Sequence, residues 1–418
     1  MEQTRNKEDP ESIKMRSPLR VIFLNHSVRD GGSGRSLFYL IKYIDKTKIT
    51  PFVLVPKEDV FTELLKKEGL GDRIIVDEKF PENMLIPRLN SNLIPLRVLK
   101  IVSVLLNLID AFIFLLKSPF IINRTKSDIV YCNGTLSKII GTLVGTLNHR
   151  PVIWHVRNIQ QTRTLRFTMN FLSLFPAVKK IICVSHAAAQ QFYFVGDKIS
   201  VIYNGVDIDE FNPKRIIGAL RVEYGIPEGT IVVGSTGRIV PRKGYEYMVK
   251  AALTVKNKLG ENEANKIRFV VIGDTPHYFR DNHMQSLMNL IKELGLEGIF
   301  IFTGYKEDVR PYLKDFDIFV IPSNFPDSFP RAVIEAMSLG IPVVGYRIGG
   351  ITESVEDGVT GLLNEPGNIE LMGDSILKLI NDKALRLSMG SAGKERIKKY
   401  FSVERKTREI EEKILGAL

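Results

Sequence analysis

Short apolar runs alternate with helical segments along the chain, and this alternation constrains the fold more than any other sequence feature. Such runs, rich in Val, Ile and Phe, are typical of strands buried on both faces of a parallel sheet. Because helical segments lie between many of them, the sequence predicts an α/β fold of parallel sheets covered by helices. The predicted strands are Leu19–Asn25, Phe52–Val55, Arg73–Val76, Ile129–Tyr131, Val152–His155, Ile181–Val184 and Val201–Tyr203, followed by Ile231–Ser235, Arg268–Ile272, Ile299–Thr303, Ile318–Ile321 and Pro342–Tyr346.

The turn-rich segment Asn204–Pro213 separates two halves of this pattern. It combines Asn-Gly, acidic residues and a proline, all of which favour turns. At 418 residues the chain is too long for one ordinary core, so two domains are expected. We predict a disordered tail over residues 1–17, a first domain over 18–204 and a second over 205–400. A helix over 401–418 is expected to pack back toward the first domain.

The stretch Phe319–Gly350 contains a strand, a polar loop, a helix that starts near Pro330, a second strand and a glycine turn. In open α/β sheets, ligands bind in loops beyond the carboxyl ends of the strands. Two carboxylates fall in this region, Asp327 in the loop and Glu335 in the helix. The stretch therefore predicts a ligand site.

Two glycine-rich turns precede predicted helices and suit phosphate, because backbone N–H groups and the helix dipole converge there. The first, Gly31–Gly34, lacks the third glycine of the dinucleotide fingerprint, and the next strand ends without an acid. A hydride-transfer cofactor is therefore not expected. The second, Gly234–Gly244, carries Arg238 and Lys243. These cations fit a diphosphate, although either one alone could be an ordinary surface residue.

Positive charge is concentrated in the first half of the chain. Residues 1–206 carry a net charge of +12 and residues 207–418 a net charge of −1, within a total of +11. This asymmetry predicts an anionic partner for the first half, either nucleic acid or an anionic membrane surface. A simply solvated basic surface is the alternative.

The segment Ile101–Leu116 is strongly apolar but shorter than the roughly 20 residues that span a bilayer. The segment predicts a helix with a broad apolar face and one narrow polar stripe. It could be a core helix or a helix that lies in the membrane interface. The stretch Arg163–Lys180 has the same basic and aromatic character. The polar stripe consists of Lys100, Ser103, Asn107, Asp110 and Lys117.

Several motifs, in their order and spacing, resemble the retaining family-four glycosyltransferases, the glycosyltransferase group 1 family. They extend from about Leu19 to the C-terminus. The family's GT-B fold has two Rossmann-like domains that face each other across a cleft, so the resemblance implies an acceptor-binding first domain and a nucleotide-sugar-binding second domain. The motifs are Gly31-Gly32, VSHAAAQ from Val184, IYNGVDIDEFNP from Ile202, GRIVPRKG from Gly237, FVVIGD from Phe269, FTGYKEDV from Phe302, PDSFPRAVIEAM from Pro326 and GGITESVEDGVTGLL from Gly349.

The resemblance implies roles for individual residues. The family's signature is two glutamates separated by seven residues; here the first is Asp327, one methylene shorter, and the second is Glu335. Glu335 would bind the nucleotide ribose and Asp327 the sugar hydroxyls, while Arg238 and Lys243 would hold the diphosphate. Residues 303–306 would line the base. The donor-binding residues expected in this way are Gly32, Ser33, Gly237, Arg238, Lys243, Gly304, Tyr305, Asp327, Ser328, Phe329, Arg331 and Glu335.

His155 stands where many family members have His-Asp, whereas this chain reads His-Val-Arg. A lone histidine is often structural, but this position also fits an active-site residue near the donor sugar. The catalytic residues implied are His155, Arg238, Lys243, Asp327 and Glu335. The family is usually metal-independent, and the two cations can neutralise the leaving diphosphate. No metal and no cofactor are therefore expected besides the UDP- or GDP-linked donor.

The resemblance implies retaining hexosyl transfer to a lipid-linked cell-surface glycan, of the polysaccharide or lipopolysaccharide kind. Because the charged N-terminus is unlike a secretory signal, we expect a cytoplasmic protein at the inner face of the cell membrane, in peripheral contact through its first domain. Nucleic acid is not an expected partner, since it would explain the charge but none of the motifs. A sugar-nucleotide 2-epimerase and a non-catalytic nucleotide-sugar-binding protein are the alternatives that share the fold.

Overall fold

The structure is a computed structural model that describes residues 17–26, 31–82, 96–275 and 282–418. Two parallel sheets, each flanked by helices, form its framework, which confirms the predicted α/β class. Residues 1–16 of the predicted tail lie outside the described residues. So do residues 27–30, which link the first strand to the glycine-rich turn.

The first sheet has seven strands, and all pairs of neighbours in it are parallel. Its strands are β1 (Leu19–Asn25), β2 (Ile49–Val55), β3 (Ile74–Val76), β4 (Ile129–Asn133), β5 (Val152–Val156), β6 (Val178–Cys183) and β7 (Ile199–Val201). The spatial order is β3-β2-β1-β4-β5-β6-β7, so the chain reverses its direction of travel between β1 and β4. This reversal is the topological switch point at which α/β sheets bind ligands.

The second sheet repeats the scheme with six parallel strands. They are β8 (Ile231–Thr236), β9 (Ile267–Ile272), β10 (Phe300–Phe302), β11 (Ile318–Ile321), β12 (Val343–Tyr346) and β13 (Gly361–Asn364). The order is β10-β9-β8-β11-β12-β13, which places the switch point between β8 and β11. The loops after these two strands are those that the sequence marked as candidate ligand loops.

Helices cover the faces of both sheets. In the first half they are α1 (Gly32–Tyr43), α2 (Val60–Lys67), α3 (Leu96–Thr125), α4 (Thr135–Leu147), α5 (Arg163–Ser173) and α6 (His186–Ala189). In the second half they are α7 (Leu220–Glu223), α8 (Tyr245–Leu259), α9 (Glu261–Ala264), α10 (His283–Glu293), α11 (Arg310–Leu313), α12 (Arg331–Ser338), α13 (Ile351–Ser354), α14 (Ile369–Asn381), α15 (Lys383–Tyr400) and α16 (Val403–Leu415).

The long helix α3 turns its polar stripe toward the protein. Ser103 and Asn107 are fully buried, and the buried carboxylate of Asp110 accepts a hydrogen bond from Lys79 Nζ at 2.8 Å. Phe114 packs against Phe80 with ring centroids 5.1 Å apart. These contacts attach α3 to the first sheet's layer through the side that would face water in an ordinary surface helix.

The opposite side of α3 is apolar and exposed. Phe112, Leu116 and Phe120 are 62%, 65% and 71% exposed, and they continue a row that starts at Ile101 and Leu105. The segment Ile101–Thr125 is long and apolar enough to cross a membrane by length and composition. Because its apolar side faces outward, α3 is not a buried core helix, which was one of the two alternatives for this segment.

The last helix, α16, returns to the first half of the molecule. Ile410 and Ile414 are buried in the same apolar cluster as β1 and α1 residues. The chain passes from the first half to the second near Val206 and back near Phe401. These two crossings are hydrogen-bonded to each other: Val206 N–H donates to Phe401 O at 2.8 Å, and Val403 N–H donates to Val206 O at 3.0 Å.

Candidate active site

Two loops at the switch point of the second sheet bring a cation and a carboxylate together. Lys243 follows β8 and Asp327 follows β11, and these strands are neighbours in the sheet. Lys243 Nζ lies 2.9 Å from Asp327 Oδ2, with both side chains partly buried. The sequence predicted both residues as donor-site residues, and the structure places them in direct contact.

The turn Gly349-Gly350 packs so closely against the backbone around Asp327 that only glycine fits at these two positions. Gly350 N–H donates a hydrogen bond to Asp327 O at 2.8 Å. A Cβ on Gly350 would lie 1.9 Å from Ser328 O, and one on Gly349, whose φ is +55°, would lie 2.5 Å from Asp327 O. The glycine turn that ends the stretch Phe319–Gly350 is therefore what allows the loop carrying Asp327 to pack so closely.

The ion pair sets the protonation state of Asp327. Burial by itself would raise the pKa of this carboxyl, but the attraction and hydrogen bond from Lys243, with a further contribution from Arg242, lower it on balance. Asp327 is therefore a carboxylate at neutral pH. It forms an ion pair with Lys243, the cation that was expected to hold a diphosphate.

Glu335 lies on α12 and pairs with Arg331 one turn earlier. Arg331 Nε and Nη2 lie 3.1 and 2.9 Å from the same oxygen, Glu335 Oε1. Both side chains are largely buried, at 8% and 15% exposure. The structure assigns no partner within its described part to the second oxygen, Oε2, which leaves that atom able to accept hydrogen bonds from a ligand.

Arg331 also joins the two halves of the molecule. Its Nη1 donates to Gly205 O at 3.1 Å and to Ser36 Oγ at 3.3 Å, and its guanidinium lies over the Tyr39 ring. Gly32, at the start of α1, lies beside the Arg331 side chain. Arg331 was expected in the donor site, and in the structure its side chain holds α12 against α1.

His155 lies at the carboxyl end of β5 and is fully buried. Its Nδ1 is 3.1 Å from Arg157 Nη2 and also contacts the Tyr131 hydroxyl, while Nε2 has no hydrogen-bond partner among the described residues. Burial, followed by the positive charges of Arg157 and Lys138, holds the pKa of His155 well below its usual range. His155 is therefore a neutral imidazole. Since an arginine can only donate, Nδ1 accepts and Nε2 carries the proton.

Arg157 connects His155 to the loop that carries Asp327. Its Nε donates to Asn133 Oδ1 at 2.6 Å, its Nη1 donates to Asn204 Oδ1 at 2.7 Å, and its carbonyl accepts the Ser328 hydroxyl at 2.5 Å. The guanidinium hydrogen-bonds to Asn133, Asn204 and His155, which are neutral, so none of these partners matches its charge with a carboxylate. Sequence analysis gave Arg157 no role. The only signal was its place in His-Val-Arg, where relatives have His-Asp.

The other predicted donor-site residues fall into two groups. Gly237, Arg238, Gly304 and Tyr305 lie in loops after β8 and β10; Gly237 accepts a hydrogen bond from the Tyr245 hydroxyl at 3.2 Å, and Arg238 and Tyr305 are exposed. Ser33, by contrast, lies on α1, where its carbonyl accepts from Asn133 Nδ2 at 3.3 Å. The Phe329 ring is buried in a cluster with Tyr203 and Phe401, with centroids 5.0 and 5.4 Å away. Among the described residues, no group of three or more His, Cys, Asp or Glu side chains could hold a metal ion.

Comparisons with known proteins place the two halves in two matching families. The family described as Glycosyltransferase Family 4 matches residues 30–210, and the family described as glycosyl transferases group 1 matches residues 217–396. A solved structure of Anabaena Alr3699/HepE in complex with UDP and glucose superposes with a TM-score of 0.76 and 22% identity, over 96% of this chain and 100% of that chain. The agreement is one of fold, and that fold is GT-B.

Relatives with curated functions include two glycosyltransferases. The Escherichia coli UDP-Gal:alpha-D-GlcNAc-diphosphoundecaprenol alpha-1,3-galactosyltransferase is 25% identical over 394 residues, which cover 90% of this chain and 94% of that enzyme. The Staphylococcus aureus capsular polysaccharide biosynthesis glycosyltransferase CapM is 25% identical over 304 residues, covering 69% and 76%. Other curated relatives match over about half of their own length.

Proposed function

Because this chain belongs to the family-four glycosyltransferases and has their GT-B fold, we propose that it transfers a sugar from a nucleotide-sugar donor to a lipid-linked glycan, with retention of anomeric configuration and without a metal ion. The observation that carries the proposal is the Lys243–Asp327 pair, which stands in the ligand loops of the second sheet and next to Ser328, the residue bonded to Arg157 of the first half. A cation and a carboxylate at this junction are the groups that sugar–diphosphate cleavage requires.

Cleavage of the sugar–diphosphate bond builds negative charge on the diphosphate and positive charge on the anomeric carbon. Lys243, with Arg238 from the same loop, stabilises the first charge, and Asp327 stabilises the second. A bound diphosphate competes for Lys243 and so releases the carboxylate of Asp327 toward the sugar. Fixed cations in this position do the work that a metal ion does in other nucleotide enzymes.

Glu335 and His155 position the donor in this proposal. Glu335 holds Arg331 through Oε1 only, so Oε2 can accept hydrogen bonds from the ribose hydroxyls. His155 presents a buried N–H at Nε2 that has no partner among the described residues, and it donates to an oxygen of the donor sugar. Because the imidazole is neutral, His155 acts as a hydrogen-bond donor rather than as an acid.

The exposed apolar side of α3 gives the protein a surface for peripheral membrane contact. Large apolar side chains in a continuous row are costly in water but stable at the acyl boundary of a bilayer. The net charge of +12 over residues 1–206 adds attraction to anionic lipid. An enzyme held in this way works at the inner face of the cell membrane, where a lipid-linked acceptor is embedded.

A screen of UDP- and GDP-sugars by thermal shift tests the donor half of the proposal, since a ligand at about 100 times its Kd stabilises a protein by roughly 2.7 kcal/mol. The donor that binds is then supplied with a polyprenyl-diphosphate-linked sugar, and the product is examined by NMR. An α linkage formed from an α-linked donor, with turnover unchanged by EDTA, is expected. An inverted linkage contradicts retention, and a donor inverted at C2 without transfer identifies an epimerase.

A further inference from the structure

Four aromatic side chains that face solvent cluster on the first half of the molecule, on and beside α5. Phe167 and Phe171 lie on α5 and are 73% and 55% exposed, while Tyr193 and Phe194 follow α6 and are 62% and 74% exposed. Together they line a groove of about 400 Å³. Single exposed apolar residues are normal on protein surfaces, but a contiguous concave cluster indicates a binding site, and the volume lies within the range of about 300–1,000 Å³ that small-molecule sites occupy.

The two walls of this groove are fixed to each other by one buried amide. Asn170 Nδ2 donates to Gln191 O at 2.8 Å, and Asn170 Oδ1 accepts from Tyr193 N–H at 3.0 Å. Asn170 is 6% exposed and lies on α5 between Phe167 and Phe171. The backbone segments that carry the two walls are therefore fixed to each other by hydrogen bonds, which reduces the free energy that a ligand loses to ordering of the protein.

One end of the groove is positively charged. Arg163 and Arg166 line it, and neither forms an ion pair with any residue in the described ranges. The neighbouring chain supplies no carboxylate, since no Asp or Glu occurs between Asp128 and Asp197. Among the described residues the Arg166 guanidinium forms one hydrogen bond, from Nη2 to Gln160 O at 3.1 Å, and its Nε is buried without a partner. These guanidinium groups can bind an anion by charge-assisted hydrogen bonds.

The charged end is also the end nearest the candidate active site. Arg163 is the first residue of α5, and residues 158–162 alone join it to Arg157. Gln160, which Arg166 contacts, is anchored through its Nε2 to Thr135 Oγ1 at the start of α4, a distance of 2.9 Å. The aromatic side chains follow in the direction away from β5, so an anionic head at the arginines directs an apolar chain along α5.

We propose that this groove binds the isoprenoid chain of a lipid-diphosphate-linked acceptor, with Arg163 and Arg166 holding its diphosphate. The inference rests on the proposed function, because it assigns a binding site to the acceptor of that reaction. An anion joined directly to a long apolar chain matches both ends of the groove. A flat membrane surface matches the convex apolar row of α3 better than it matches a groove with two unpaired cations at one end.

Farnesyl diphosphate, studied below its micelle concentration and without vesicles, is a suitable probe for calorimetric titration of the full chain. We expect Phe167→Ala combined with Phe194→Ala to weaken its binding by about tenfold or more, while binding of inorganic diphosphate stays unchanged. Arg163→Gln combined with Arg166→Gln should weaken both ligands. The matched control, Phe112→Ala combined with Phe120→Ala on α3, removes two equally exposed aromatics and should leave both affinities unchanged.

Equal affinity for farnesyl diphosphate in the Phe167/Phe194 variant and the unchanged protein would overturn the proposal. So would an affinity for inorganic diphosphate equal to that for farnesyl diphosphate, because the groove would then contribute nothing. Loss of binding in the α3 control would show that the isoprenoid chain binds to the apolar row of α3 instead. Unfolding temperatures verify that each variant is folded, and the shift caused by the nucleotide donor separates failure of this inference from failure of the glycosyltransferase assignment.

Discussion

Lys243 Nζ and Asp327 Oδ2 lie 2.9 Å apart although 84 residues separate them in the chain. The contact exists because β8 and β11 are adjacent and their loops leave the sheet at the same edge. In the absence of donor, Lys243 and Asp327 neutralise each other as an ion pair, so neither partly buried charge is left unpaired.

Lys243→Ala should lower kcat by about 10²–10³-fold, because it removes a fixed positive charge where the leaving diphosphate becomes more negative. Lys250→Ala is the matched control, since Lys250 is exposed on α8, about two helical turns beyond Lys243. Initial rates at saturating donor measure both. A kcat for Lys243→Ala equal to that of the control would remove Lys243 from the reaction.

Asp327→Glu restores the longer side chain that is commoner in the family, and we expect it to change the relative kcat/KM among donor sugars. Asp327→Asn keeps the shape but removes the charge, so it should lower kcat/KM for every donor by about tenfold or more. Rates with a panel of hexose donors that share one nucleotide distinguish the two effects. If both variants lower the rates with all donors in equal proportion, Asp327 does not contribute to discrimination among donor sugars.

Glu335→Gln should weaken nucleotide binding and also lower the free energy of unfolding by about 1–3 kcal/mol, since the Arg331 charge would lose its largely buried partner. Glu395→Gln is the control. Glu395 faces a lysine three residues away on α15, Lys398, but both side chains are far more exposed, at 66% and 48%. That pair should contribute only about 0.2–0.5 kcal/mol. Denaturant titration and UDP calorimetry give the two quantities, and equal losses of stability would contradict the assigned burial.

His26 should make the protein less stable in mild acid. Burial, and then the charge of Lys138, lower the pKa of His26 from 6.5 to about 4. Between these values the unfolded chain binds a proton at His26 and the folded protein does not, so the free energy of unfolding falls as pH falls from about 6.5 to 4, by about 3 kcal/mol in total.

His26→Asn, which can preserve the hydrogen bond to Ser137, should flatten this pH dependence of the unfolding free energy. His149→Asn is the control, because His149 is exposed and its φ of +51° is one that asparagine adopts readily. Chemical denaturation between pH 4 and pH 7 measures the slope. A slope unchanged in His26→Asn would assign the acid sensitivity to other groups, such as His155.

The apolar row on α3 should bind vesicles. Phe112→Gln combined with Phe120→Gln is expected to reduce sedimentation with anionic vesicles by about tenfold, and added salt should weaken the remaining, electrostatic part. Ile217→Gln, which changes an 87% exposed side chain in the second half, is the control. Equal sedimentation of all three proteins would contradict the membrane role of α3.

The sequence was sufficient for the framework of the fold. The predicted strand at Ile318–Ile321 coincides with β11, because four apolar residues in a row give a clear signal. The strand β13 was missed because Gly361–Asn364 has only two apolar residues, between a glycine and an asparagine. The helix α1 begins at Gly32, inside the glycine-rich turn that was expected to precede a helix.

The site was predictable only in part. Lys243 and Asp327 were found because each lies in a recognisable loop, and their contact then follows from strand order. Arg157 was not found, because its position depends on Asn133, Asn204 and Ser328, three residues that only the tertiary structure brings together. The sequence also could not predict which side of α3 packs against the protein. A periodic polar stripe shows that a helix has a polar and an apolar side, but not which of them is buried.

The return of α16 to the first half has a consequence for how the molecule is made. Ile410 and Ile414 complete the apolar cluster that contains Val21 and Phe23 of β1, so the core beside the first sheet needs residues that are synthesised after the strands of both sheets. A nascent chain that has already released the whole of β1–β7 still lacks one wall of that core. Fragments that end before Val403 should therefore lose stability in the first domain, although it is farther from the truncation in sequence. The second sheet, β8–β13, should be affected less.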